Sequence, residues 1–150
     1  MVSLDRVREL VAGEHGLAVV TTQRSDGSMP ASVVNAGVLE HPVTGDAVVG
    51  FVARGDTRKL ANLRARPRAT VVFRVGWEWV TVEGSTELAG PDDPLAGFDA
   101  GRLPHLLRDV FAAAGGAHDD WDEYDRVMAA ERRTAVLVRP ERVYSNPSPS

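Results

Sequence analysis

The sequence predicts a mainly β protein of α+β class: an antiparallel barrel, closed or half-open, of about six strands with a few short helices. Three observations lead there. β-Branched runs recur along the chain, separated by Gly/Asp/Ser/Pro turn chemistry. Helical periodicity is confined to the N-terminus, a short insert after Gly55, and parts of the stretch 95–130. No internal repeat is present.

Each element has its own reason. Ser3 is a helix N-cap, with Leu4, Val7, Leu10 and Val11 on one face and Gly13 and Gly16 as stops. Residues 17–22, LAVVTT, read as the first strand. The turn Ser25-Asp26-Gly27-Ser28 leads to a second strand over 31–39. A turn around His41-Pro42 leads to a third over 47–53, which makes a β-meander. Asp56 or Thr57 caps a short helix carrying Leu60 and Leu63, and Pro67 forces its end near Arg66. Strands four and five cover 69–75 and 77–88, joined through Gly76. Gly101, Pro104 and Gly115-Gly116 interrupt the helical stretch. Its last piece sets Trp121, Tyr124 and Met128 at helical spacing, as core or dimer contacts. A sixth strand spans 134–138, and Val143-Tyr144 adds a short edge. One domain over 1–145 is expected, followed by a disordered tail at 146–150.

Composition narrows the function. The 150 residues are 43% hydrophobic, enough for one core. No window approaches the roughly 18 apolar residues of a membrane span. Arg6, Arg8 and Glu9 break any signal-peptide core, so a soluble, cytoplasmic protein with no membrane partner is expected. The absence of cysteine excludes disulfides, thiolate catalysis and Cys-based zinc sites. The four histidines show no metal-ligand spacing, and no metal is expected. A net charge of -4 argues against a nucleic-acid partner. Of the 17 basic residues, Lys59 is the only lysine.

That lysine sits in the segment best suited to chemistry, Arg54-Gly55-Asp56-Thr57-Arg58-Lys59, between a strand and a helix. A helix N-terminus offers free N–H groups and a positive dipole end to a phosphate. Thr57 adds a hydroxyl, Arg58 a two-pronged donor and Lys59 a point charge. A capped surface helix with solvated basic side chains would carry the same residues. The segment is neither a P-loop nor a dinucleotide fingerprint.

Residues 57–69, TRKLANLRARPRA, resemble the phosphate-binding helix and following strand of pyridoxamine-phosphate-oxidase-like split β-barrels. The segments Asp26–Pro30, Gly76–Trp79, Val82–Gly84, His118–Tyr124, Glu131–Arg133 and Arg142–Tyr144 extend the resemblance over about residues 4–145. The pattern is most similar to the actinobacterial branch of deazaflavin-dependent reductases that use coenzyme F420. This resemblance implies a split barrel of the FMN-binding type, forming a homodimer with two cofactor sites at its interface. Thr57, Arg58 and Lys59 would hold the cofactor phosphate, with Arg54 supplying further charge. Ser32, Val33, Val34 and Asn35 would lie beside the ring. Val52 and Ala53 would line the same pocket, and Trp77 and Trp79 would close it, from the partner subunit. The Arg-x-His segment of true pyridoxamine phosphate oxidases is missing, which argues against vitamin B6 oxidation.

The implied activity is hydride transfer from reduced coenzyme F420 to a small conjugated acceptor. The chemistry would belong to the ring, and no catalytic side chain is assigned. Alternatives are an FMN-dependent oxidoreductase of the same fold, or a non-catalytic flavin, deazaflavin or haem carrier. A barrel for single-stranded nucleic acid would need a basic groove.

Other residues carry open readings. Trp77 and Trp79, two apart, would share one strand face, to stack on a ring or anchor a hairpin. Asn35, in an apolar strand, would need buried partners. His105 and His118 could act as acids near a substrate. Arg132 and Arg133 could reach an anionic cofactor tail or pair with the acidic run around Asp119–Asp125.

Overall fold

A computed structural model describes residues 3–146. Helix α1 (Leu4–Glu14) opens at Ser3, whose hydroxyl accepts from the Asp5 N–H, and it buries Val7, Leu10 and Val11. Gly13 does not stop it. The helix ends at His15, which is left-handed at φ 53°. Strands β1 (Leu17–Thr21), β2 (Ala31–Glu40) and β3 (Ala47–Ala53) form the meander. Helix α2 (Arg58–Ala65) precedes β4 (Arg68–Val75) and β5 (Glu78–Ala89). A 3-10 turn at Ala100–Arg102 leads into α3 (Leu103–Ala113), and α4 spans Trp121–Ala130. Pro104 does not interrupt this region. It occupies the first turn of α3, where a missing N–H deprives no carbonyl of a partner. Strands β6 (Thr134–Val138) and β7 (Arg142–Ser145) complete the chain.

Six strands close into a barrel in the order β4-β1-β2-β3-β6-β5, with β4 pairing back onto β5. Every pairing is antiparallel. This is the split β-barrel that the sequence predicts. Strand β5 holds it together. Its first part, Glu78–Ser85, pairs with β4, and Thr86–Ala89 pairs with β6. β7 adds to the outer part of β5 at Val80–Glu83. Gly84 sits just before the change of partner. A Cβ there would lie 1.6 Å from the Arg139 carbonyl oxygen, so the chain after β6 approaches β5 only because residue 84 has no side chain.

Two apolar clusters explain which strands read as continuous hydrophobic runs. Alternation along β3 sends Val49, Phe51 and Ala53 to one cluster, and Val48 and Val52 to the other. β6 divides in the same way, with Val136 and Val138 against Ala135 and Leu137. The first cluster takes Val7, Leu10 and Val11 from α1 and Leu60 and Leu63 from α2. The second packs Leu106, Leu107 and Val110 of α3 and Tyr124 of α4 on the other face of β3 and β6. Trp121 and Met128 pack against this second cluster, as expected of core contacts.

α3 covers the later part of β2 around Gly37 and Leu39, but among the described residues nothing covers the outer face of β1 and the start of β2. Leu17, Val19 and Val33 stand exposed, and Val19 and Val33 are register partners. No described helix is long and apolar enough to cross a membrane. Of the expected disordered tail, residues 147–150 lie outside the described residues. Asn146 is fixed: it accepts from the Trp79 N–H and donates to the Trp77 carbonyl, both at 3.3 Å.

Candidate functional site

A cleft of 270 Å³ lies between the first turn of α2 and the adjoining ends of β1 and β2. Thr57, Arg58 and Lys59 line one side, and Thr22, Arg24 and Ser32 line the other. No carboxylate is among its described lining residues. The buried Asn62 amide donates to the Thr22 hydroxyl at 3.1 Å and ties α2 to the end of β1.

The local backbone leaves donors unspent. Thr57 is the N-cap of α2, yet its hydroxyl donates backward to the Arg54 carbonyl at 2.9 Å and makes no cap bond. The first intrahelical bond runs from Ala61 N–H to the Thr57 carbonyl, so the N–H groups of the first turn have no helical partner. Such groups, with the dipole behind them, favour an anion.

Lys59 supplies the charge. Its ammonium stands 6.0 Å from the centroid of the Phe51 ring and makes no ion pair among the described residues. Burial, and secondarily the Arg133 guanidinium, push its pKa below the ordinary lysine value of 10.5. Among the described residues this half-buried cation, beside a second cation, has no carboxylate partner and no counter-ion.

The loop before α2 is clamped from behind. The Gly55 N–H donates to the Glu131 carbonyl at 3.2 Å. A Cβ on Gly55 would lie 2.7 Å from Arg132 Cβ and 2.8 Å from its carbonyl oxygen. Arg132 itself is left-handed at φ 51°. The register Ala53↔Thr134 brings Arg132 and Arg133 to the end of β3 where this loop begins.

The residues singled out in the sequence separate into distinct places. Ser32, Thr57, Arg58 and Lys59 come together in the cleft. Asn35 and Val52 line a second cavity beneath α3 and α4. Val33 is 65% exposed on the outer barrel face, while Val34 packs partly against the core and Ala53 lies within it. Arg54 is exposed and pairs with Asp56 at 3.7 Å. Asn35 is exposed rather than buried, and its amide donates to the His15 carbonyl at 2.9 Å.

Trp77 and Trp79 do not share a strand face. Trp77 falls in the two-residue loop between Val75 and Glu78 and is 94% exposed. Trp79 packs edge-on against Tyr144, with ring centroids 6.1 Å apart. Both lie at the opposite end of the β4–β5 hairpin from Arg68, and neither lines the cleft within this chain.

His105 is exposed beside Asp109, 3.6 Å away, and His118 accepts from the Asp120 N–H within a cluster of Phe111, Trp121 and Tyr124. Neither reaches the cleft. The acidic run starts α4, where Asp120 caps the Glu123 N–H, and its Asp125 takes Arg108. Arg132 pairs instead with Asp92, and Arg133 with Glu131. Among the described residues no group of three or more His, Asp or Glu side chains is placed to hold a metal ion.

Arg24 escaped the sequence reading, while Gly55 and Asn62 fell inside the segments it singled out without a role of their own. Arg24 directly precedes the Ser25–Ser28 turn, which was its only signal.

The profile of the pyridoxamine 5'-phosphate oxidase family matches residues 3–146. The chain belongs to this family. Solved structures resemble the family member in fold at low identity. A pyridoxamine 5'-phosphate oxidase-related, FMN-binding protein from Nostoc punctiforme aligns at 14% identity and TM-score 0.62, over 95% of this chain and 79% of the other. An F420 reductase aligns at 15% identity and TM-score 0.59, over 91% and 94%. HutZ, the haem storage protein from Vibrio cholerae, aligns at 11% and 0.57, over 93% and 92%. What this family member shares with all three is the barrel.

Proposed function

We propose that this chain holds a flavin-type cofactor by its phosphate in the Lys59 cleft and acts as an oxidoreductase dependent on coenzyme F420. The observation that carries the reading is the half-buried Lys59 ammonium, without a counter-ion among the described residues, on a first turn of α2 whose N–H groups are uncapped. A phosphate dianion fits that donor set, since it would answer both the charge and the open N–H groups. The cleft is sized for a phosphate group and its first attachments, and the ring would extend beyond it along β2.

When bound, the cofactor supplies hydride transfer. This chain's own residues bind and orient. Lys59 and Arg58 set the charge, Asn62 fixes the helix against β1, and Gly55 keeps the loop against the Glu131–Arg132 segment that leads into β6. Ser32 lies across the cleft from the phosphate donors. Arg24, across the cleft from Arg58, adds charge that suits the acidic tail of coenzyme F420. The F420 reductase of the same fold supports this choice.

The same reading proposes a homodimer. The exposed apolar face of Leu17, Val19 and Val33 is one that a second copy would cover, bringing its own Trp77 and Trp79 to the cofactor.

Titration of the purified protein with coenzyme F420, FMN and haem, followed by fluorescence and absorbance, tests the reading. Coenzyme F420 should bind most tightly, and Lys59→Ala should weaken it at least tenfold. A preference for FMN would move the chain to flavin chemistry on the same phosphate site. A Soret band, or affinity unchanged in Lys59→Ala, would reject the assignment.

A further inference from the structure

Beneath α3 and α4 lies a second cavity, of 170 Å³, that the phosphate reading does not use. Asn35 and Val52 border it on the barrel side, Val110, Phe111 and Met128 on the helical side, and Arg133 at its edge. Its apolar walls come from Val52, Val110, Phe111, Ala114 and Met128. The Tyr124 hydroxyl also borders it but is spent, donating to the Leu107 carbonyl at 3.1 Å. Two polar groups remain. The Asn35 carboxamide oxygen has no partner among the described residues, since only its nitrogen is engaged. Arg133 donates Nε–H to a Glu131 oxygen at 3.0 Å, with Nη2 in an ion pair to the same oxygen at 3.0 Å, and its Nη1 edge has no partner among the described residues.

The cavity's place is as informative as its lining. Val52 and Ala53 pair with Ala135 and Thr134, so Arg133 stands at the end of β3 from which the Lys59 loop departs. Its guanidinium acts on Lys59 on one side and borders the apolar cavity on the other. Met128 and Arg133 also border an outer groove of 290 Å³, lined by Pro91, Leu103 and Leu107, and none of the cavity's lining residues lines the phosphate cleft.

Size and chemistry limit the occupant. An apolar cavity of about 150 Å³ accepts one benzene. The 170 Å³ here holds one six-membered ring with a small substituent. Phe111 gives such a ring an aromatic neighbour, and a free guanidinium edge selects an anionic substituent. We propose that this cavity is the substrate subsite and that it takes a single conjugated ring bearing one carboxylate, directed at Arg133. Its role as a substrate site rests on the cofactor reading above; its ability to bind such a ring does not.

The test uses the full chain without cofactor and follows benzoate, toluene and 2-naphthoate by calorimetry and ligand-observed NMR. Benzoate should bind, with toluene and 2-naphthoate each at least tenfold weaker. Arg133→Gln should bring benzoate down to the level of toluene. Val110→Trp, which fills the cavity, should abolish binding, and Met128→Trp gives the same reading if the first variant melts early. Excess inorganic phosphate should leave benzoate affinity unchanged. Displacement by phosphate would put the probe in the Lys59 cleft and overturn the proposal. So would binding that survives both tryptophan variants, or no benzoate binding at millimolar concentration. Benzoate binding without any cofactor binding would leave the subsite standing and defeat the cofactor reading; the reverse result would defeat the subsite alone.

Discussion

Arg133 and Lys59, 74 residues apart in sequence, act on each other across the end of the β3–β6 pair, where the Ala53↔Thr134 register joins their segments. Burial of Lys59, and then the Arg133 charge, hold the Lys59 ammonium below the ordinary lysine pKa of 10.5. The chain keeps a cation where a cation is disfavoured, which is intelligible if an anion arrives there.

A pH dependence follows from that shift. The charged lysine disfavours folding below its folded-state pKa, and the penalty is relieved as pH rises toward 10.5. A bound phosphate raises the pKa again, so phosphate affinity falls as pH climbs through the free-protein value. On the acid side, affinity rises between about pH 5 and 7 as the phosphate becomes a dianion. Titration with inorganic phosphate or FMN across pH should trace both limbs, and the alkaline fall should be absent in Lys59→Met. That variant should melt at the same temperature as the parent or higher. A lower melting temperature would make Lys59 a structural residue.

Gly55→Ala forces a methyl group against Arg132 and lifts the loop from the Glu131–Arg132 segment. Cofactor affinity should drop about tenfold, equivalent to ~1.4 kcal/mol, with circular dichroism showing an intact barrel. Unaltered affinity would mean that the clamp does not position the phosphate donors.

Gly84→Ala tests the fold rather than the site. A Cβ 1.6 Å from the Arg139 oxygen must displace backbone. The expected loss is about 3 kcal/mol by urea denaturation, because β5 could no longer serve both β4 and β6. A loss of only a few tenths would show that the strand relaxes freely.

Val33→Asp places a charge in the centre of the uncovered β1–β2 face. Sedimentation velocity should show a dimer for the parent chain and a monomer for the variant, with cofactor binding weakened as well. An intact dimer in the variant would move the interface elsewhere.

Much of this was legible because local rules sufficed. Ser3, Thr57 and Pro67 bracket α1 and α2, and the run 47–53 is apolar throughout because β3 is buried on both faces. Period-two reasoning failed at Trp77 because the strand starts one residue later, after a Gly76-Trp77 loop. It failed at Asn35 because burial was inferred from apolar neighbours, whereas β2 turns one face outward. Pro104 was misread because a proline in a first turn and one inside a helix look alike without the cap. Arg24 and Arg133 had no local signal that could place them beside Lys59, since barrel closure brings them there.

The single lysine makes the decisive measurement clean. A protein labelled with lysine carrying ¹³Cε gives one side-chain resonance, that of Lys59. Its titration in the free protein should fall below 10.5, and coenzyme F420 should shift the signal and move the titration upward. A resonance that titrates like free lysine and ignores both coenzyme F420 and FMN would contradict the phosphate site and the function built on it.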